Sequence, residues 1–99
     1  LFISGQLGVS PSGEFAGTDV KSQAQRSLQN LQAILSEAGL GFENVVKTTI
    51  FLADIADFAA VNEIYAEFFK EPYPARSTVA VKTLPKGGLV EIELIAMTK

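Results

Sequence analysis

Apolar residues recur every three or four positions between Val20 and Ala38: Val20, Ala24, Leu28, Leu31, Leu35 and Ala38. That spacing gathers them on one face of a helix. Lys21, Gln25, Gln29, Gln32 and Ser36 fall on the opposite, solvated face. Thr18 or Asp19 can cap the start, because a short side-chain oxygen accepts a free N–H of the first turn. Gly39 follows as a stop, since glycine takes the left-handed conformation without a steric penalty. A second helix starts at an Asp57 cap. Its inner face carries Phe58, Val61, Ile64 or Tyr65, and Phe68, and Pro72 and Pro74 prevent its continuation.

Four other segments read as strands. Residues 1–7 enter a turn signalled by Pro11-Ser12-Gly13-Glu14. Residues 45–53 are rich in β-branched side chains. Residues 76–84 and 89–98 flank Leu84-Pro85-Lys86-Gly87-Gly88 and are expected to pair antiparallel. The order β-α-β-α-β-β predicts an α+β fold, a mixed sheet with two helices on one face, in one domain over residues 1–99. In the last strand Val90, Ile92, Leu94 and Ala96 share one face, which should lie under the helices. Leu89, Glu91, Glu93, Ile95 and Met97 share the other. Strand 45–53 repeats the division, with Val46, Ile50 and Leu52 against Val45, Lys47, Thr49 and Phe51. The second face is too apolar for open water and too charged for a dry core. A subunit interface with polar pockets fits both facts; a solvated face with some exposed apolar residues is the alternative.

Composition narrows the chemistry. The 99 residues are 47% hydrophobic and 19% charged, as in an ordinary globule rather than a disordered chain. No apolar run approaches bilayer-spanning length, and the expectation is a cytoplasmic protein without membrane contact. Cysteine and histidine are both absent. That excludes disulfides, thiol nucleophiles, thiolate or imidazole metal sites and histidine-based triads. Acid–base work falls to carboxylates, Tyr, Lys, backbone groups or water. A net charge of −3, with eight scattered basic residues, weighs against nucleic acid, whose phosphates call for a clustered basic surface.

A set of short segments, in order, carries a resemblance: Ser4-Gly5-Gln6, Asn44-Val45-Val46-Lys47-Thr48-Thr49, Asp57-Phe58-Ala59-Ala60-Val61-Asn62, Pro74-Ala75-Arg76-Ser77-Thr78, Leu84-Pro85-Lys86-Gly87 and Val90-Glu91-Ile92-Glu93. Each alone is weak; together, in this spacing, they closely resemble the RidA family, also called YjgF, from Leu1 to Met97. The resemblance implies a chorismate-mutase-like homotrimer with clefts between subunits. It implies hydrolysis of 2-imino acids, such as 2-iminopropanoate and 2-iminobutanoate, to 2-oxo acids and ammonia. The parent enamines come from pyridoxal-phosphate dehydratases, while the hydrolase itself needs no cofactor and no metal. Relatives carry an N-terminal strand with a Gly-Pro-Tyr segment whose Tyr lines the cleft. That strand would precede Leu1, where this chain opens directly on strand-like residues, and Tyr65 and Tyr73 do not match the position.

The same resemblance implies the site residues. Arg76 matches the carboxylate-binding Arg, a role suited to a planar fork that makes two parallel hydrogen bonds. Read on residue type alone, it could equally pair with an interface carboxylate. Glu91 matches the Glu that handles the attacking water; an ion pair with Lys47 or Lys82 is the alternative. Glu93 faces the same way, and only spacing from Arg76 favours Glu91. Thr78, where relatives often carry Cys, and Gly5 match segments whose backbone groups contact carboxylate and imine. Ser4 and Asn62 match polar positions bordering the cleft. If the last two strands form a hairpin near Lys86-Gly87, Arg76 and Glu91 lie roughly 20 Å apart along them. The cleft must then combine Arg76 of one chain with Glu91 of a neighbour; the alternative is that the strands are not direct partners and Glu91 runs past Arg76 on another sheet path. Two other functions stay open at this stage: a non-enzymatic sensor of 2-oxo acids using the same Arg76 pocket, and a ribonuclease or translation inhibitor. The acidic charge and missing histidine weaken the last.

Overall fold

In the computed structural model, which describes residues 1–98, helix α1 runs Val20–Glu37 and buries the face expected of it. Ala24, Leu28, Leu31 and Leu35 are fully buried. Asp19, rather than Thr18, is the cap. Its carboxylate accepts the Ser22 N–H at 3.0 Å and the Ser22 hydroxyl at 2.7 Å. These bonds, the hydroxyl's first, hold the Asp19 carboxyl below its ordinary range. Gly39 ends the helix at φ 74°, and the Leu40 N–H closes back on the Leu35 carbonyl at 2.9 Å.

Helix α2 runs Phe58–Phe68. Asp57 stands at its start but makes no side-chain cap bond. The cap acts three residues earlier, where Asp54 Oδ1 accepts the Ala56 N–H at 2.9 Å and opens a 3-10 turn, Ile55–Asp57, that leads into α2. Asp57 is already inside that turn, at φ −83° and ψ 0°, and lacks the extended backbone typical of a capping residue.

The strands are β1 (Phe2–Leu7), β2 (Val45–Leu52), β3 (Ala75–Ala80) and β4 (Val90–Ala96), ordered β1-β4-β2-β3. The expected hairpin of the last two strands does not form. β3 pairs parallel with β2, while β4 pairs antiparallel with both β1 and β2. The burial pattern supplies the reason. β4 alternates buried and half-buried residues along its length and needs neighbours on both sides, whereas β3 is exposed at five of its six residues and is an edge. The connection after Ala80 therefore carries the chain across β2 into the gap between β1 and β2. The first two β-α-β stretches are parallel crossovers, and β4 fills the gap left by the first.

Helix-side and open-side residues sort as expected in β4, with Val90, Ile92, Leu94 and Ala96 buried. In β2 a register shift between Val45 and Lys47 reverses part of the expectation. Val45 is buried and Val46 is exposed, because one extra residue in the ladder flips the alternation. Thr48, Ile50 and Leu52 face the helices.

Polar groups fasten α1 to β1 and its following loop. The Ser27 hydroxyl donates to the Gln6 carbonyl at 2.7 Å, and the Asn30 amide donates to the Val9 carbonyl at 2.8 Å. Buried Gln23 donates to the Gly17 carbonyl and accepts the Leu89 N–H, each at 2.9 Å. The strand end comes so close to α1 that a Cβ at Gly8 would lie 2.5 Å from Gln23 Cα. Backbone cannot yield there as a side chain can. Gly8→Ala should therefore destabilise the protein by roughly 1–3 kcal/mol in urea unfolding; an unchanged midpoint would show that β1 and α1 can separate without loss.

Candidate active site

Arg76 sits on β3 directly beside Thr48 of β2. Residues in register across neighbouring strands share a face. Thr48 is buried under the helices, so Arg76 projects to the helix side, at the sheet edge. There it meets one face of α2. Asn62 Oδ1 accepts from Arg76 Nη1 at 2.6 Å, and the guanidinium carbon lies 5.5 Å from the Phe58 ring centre and 4.9 Å from that of Tyr65. Tyr65 is itself fixed by a 2.8 Å hydrogen bond to the Thr48 hydroxyl. Burial pushes the Tyr65 phenol upward in pKa, opposed by that hydrogen bond and by the Arg76 charge. Asn62, Tyr65, Ala66, Tyr73, Pro74 and Arg76 line a groove of about 480 Å³. A larger one, about 580 Å³, lies between the far ends of the helices and contains none of the expected site residues.

Thr78 is two residues on and shares the helix side with Arg76, in register with Ile50. Its hydroxyl oxygen is buried and has no hydrogen-bond partner. The Val81 N–H donates to the Leu52 carbonyl at 2.8 Å. The two-residue alternation of the ladder then turns the backbone N–H and C=O of Arg76 and Thr78 outward, away from β2. A carboxylate held by the guanidinium would have these groups beside it.

Glu91 is elsewhere. It is in register with Phe51 on β2 and Leu7 on β1, and it faces the side without helices. Between the Ile3–Leu94 and Gln6–Ile92 pairs, β1 supplies two residues, Ser4 and Gly5, where β4 supplies only Glu93. This bulge lets the Glu91 carboxyl lie over Gly5: a Cβ there would be 2.7 Å from Glu91 Cδ and Oε2. Ser4 is exposed on the same bulge, with its carbonyl accepting from Gln6 Nε2 at 3.1 Å. Bulges of this kind re-aim side chains at the rims of sheets.

The fold thus gathers the six expected residues into two groups. Arg76, Asn62 and Thr78 stand on the helix side of the β3 edge; Glu91, Gly5 and Ser4 stand on the open side, beside β1. Arg76 and Glu91 are two strands apart and three residues out of step, about 10 Å in each direction, on opposite faces. The open face around Glu91 exposes Phe2 at 81% and Val79 at 45%. Among the described residues no group of three acidic side chains is placed to hold a metal ion. Sequence reading assigned Phe58 and Tyr65 only to the helix core. Their spacing with Asn62, at i, i+4 and i+7, was the available signal that all three share one helix face.

The model of the endoribonuclease L-PSP family matches residues 1–98. The human protein named 2-iminobutanoate/2-iminopropanoate deaminase is 49% identical over 98 residues, covering 98% of this chain and 72% of its own. The crystal structure of RidA from Psychrobacter sp. PAMC 21119 superposes with TM-score 0.94 at 45% identity, over 98% of this chain and 79% of that one. E. coli TdcF, crystallised with bound serine, superposes with TM-score 0.92 at 46% identity, over 99% and 80%. The chain belongs to this family, the RidA family whose motifs it carries.

Glu91 can occupy its place only because Gly5 has no side chain. In a crystal structure of Gly5→Ala the Glu91 carboxyl should be displaced from β1 with the strands unmoved, since the end of a flexible side chain yields before backbone does. A Glu91 carboxyl that stays in place above the added methyl group would contradict the close approach.

Proposed function

We propose that this RidA-family chain hydrolyses reactive 2-imino acids to 2-oxo acids and ammonia, in clefts shared between the subunits of a homotrimer. The observation that carries the reading is the division of the family's constellation into two groups on opposite faces of one sheet. A carboxylate fork and a water-handling carboxylate can meet around a small substrate only if a second chain brings its open face to the β3 edge of the first. The half-polar open face, with Phe2, Val79 and Met97 exposed, suits burial against such a neighbour. The human relative's name supports the reaction, and the serine held by TdcF supports a ligand bearing an α-carboxylate.

In this reading Arg76 binds the substrate carboxylate through its free N–H groups, with Asn62 occupying Nη1. The outward backbone groups at Thr78 complete the anchorage. Glu91 from the neighbouring chain orients a water against the C=N carbon. Attack forms a C–O bond and moves the C=N π pair onto nitrogen, while Glu91 takes one proton from the water and delivers it to nitrogen, giving a carbinolamine. Glu91 then takes the remaining hydroxyl proton and passes it to the amine as the C–N bond breaks; the O–H pair closes the C=O of the 2-oxo acid, and the C–N pair leaves with ammonia. Gly5 and Ser4, beside Glu91, border the reacting carbon. The reaction needs neither a metal nor a redox group. Its substrates come from pyridoxal-phosphate dehydratases, and the protein works beside them in the cytoplasm.

The family description names an endoribonuclease, but the net charge of −3 and the absence of histidine weaken RNA cleavage as a reading here. A metabolite sensor without turnover would use the same Arg76 pocket. Ammonia release from freshly generated 2-iminobutanoate separates it from the deaminase: the parent protein should accelerate release, and a parent that binds 2-oxobutanoate without doing so would be a sensor.

Arg76→Lys should lower kcat/KM for 2-iminobutanoate by about 100-fold or more, because an ammonium lacks the fork, while melting temperature stays nearly unchanged. Full activity in that variant would remove the two-pronged role. Glu91→Gln should bind 2-oxobutanoate as the parent does and lose about 100-fold or more in kcat; undiminished turnover would transfer the water to Glu93 or to backbone groups.

A further inference from the structure

Arg76 carries a second set of contacts that substrate binding does not explain. Phe58, Asn62 and Tyr65 lie along one face of α2, and Phe58 and Tyr65 are separated by two turns, about 10.5 Å along the axis. The guanidinium carbon is 5.5 Å from one ring centre and 4.9 Å from the other, so it lies between them, opposite Asn62. The two rings differ in how they are held. Phe58 is 40% exposed and can adjust, whereas Tyr65 is 6% exposed, is stacked on Phe69 at 4.3 Å between centres, and is bonded through its hydroxyl to buried Thr48. Thr48 is also the residue in register with Arg76. The ring and the backbone that carries the guanidinium are thus fixed to the same point of β2.

We propose that Phe58 and Tyr65 are positioning residues, an aromatic clamp anchored through Thr48 that holds the Arg76 guanidinium ready for the substrate carboxylate. This rests on the deaminase reading above and specifies how its binding step is prepared. An arginine on an exposed edge strand otherwise samples many rotamers, and ordering it on binding weakens affinity. Two ring faces attract the cation, and Asn62 fixes its rotation by taking Nη1. The remaining N–H groups are left for the carboxylate. The clamp acts on the ground state and the transition state alike, because the carboxylate is bound in both. Its loss therefore appears in KM and leaves kcat in place.

The test uses the full chain with 2-iminobutanoate, together with 2-oxobutanoate binding by calorimetry. Phe58→Leu and Tyr65→Leu should each raise KM, and the Kd for 2-oxobutanoate, about fivefold, with kcat changed less than about twofold. Tyr65→Phe restores the ring without the anchor and should recover most of the loss seen in Tyr65→Leu. A purely structural role would lower the melting temperature of these variants and leave KM and Kd at parental values, which would overturn the clamp. If Tyr65→Leu fails to fold, Phe58→Leu decides alone, since its site is partly exposed: a raised KM supports the clamp and an unchanged KM overturns it. A parent protein with no imine turnover but with 2-oxobutanoate binding would refute the deaminase reading instead, and the Kd series would still test the clamp.

Discussion

A sheet covered by helices on one side only sorts every strand residue by parity, and the position of β4 decides what that sorting means here. β4 enters antiparallel between the parallel strands β1 and β2 and buries Val90, Ile92, Leu94 and Ala96 beneath the helices. Glu91, Glu93 and Ile95 must then face away from them. β3, left at the far edge, is bound to β2 in a register that turns Arg76 toward α2. A single-residue slip of β4 would exchange its faces and dismantle the core at the same time. β3 buries no core residue, so the placement of Arg76 rests on its ladder to β2 and on the contacts of its side chain with α2.

That constraint explains the chemistry as a division of labour. The β3 edge offers what an anion needs: a guanidinium held by α2 and backbone groups with no sheet partner. The open face offers a carboxylate laid over a glycine in a bulge, next to apolar surface that water does not favour. In the proposed trimer the two groups would meet around one substrate. Phe2, Val79 and Met97 are exposed on the face that carries Glu91, so covering that face would also complete the proposed site.

Much of this was legible in the residues. The helix stripes, the Gly39 stop and the alternation of β4 followed from spacing, and the family motifs pointed to Arg76 and Glu91. The order of strands was not legible, because consecutive strands usually pair and a turn-like Leu84-Pro85-Lys86-Gly87-Gly88 suggested that they do. What separates β3 from β4 is the demand of an apolar β4 for two neighbours, a property of the sheet rather than of the turn. The Val45–Val46 reversal escaped for a related reason: a bulge changes parity without changing composition. The hairpin was wrong; in the sheet observed, Arg76 and Glu91 are separated instead by facing opposite sides, two strands apart. The aromatic partners of Arg76 were hidden because Phe58 and Tyr65 also fit a core stripe, and only the β2–β3 register brings the guanidinium to them.

The claim on which the rest turns is that one chain's Arg76 works with another chain's Glu91, and complementation tests it most directly. Arg76→Ala and Glu91→Gln proteins, each inactive alone, are mixed in equal amounts under conditions that exchange subunits, and ammonia release from 2-iminobutanoate is measured. Random reassembly puts an intact Arg76 beside an intact Glu91 in about one of every four ordered interfaces, so activity should rise to about a quarter of the parent's. Activity no higher than that of the unmixed variants, with exchange verified, would show that both residues serve the same chain.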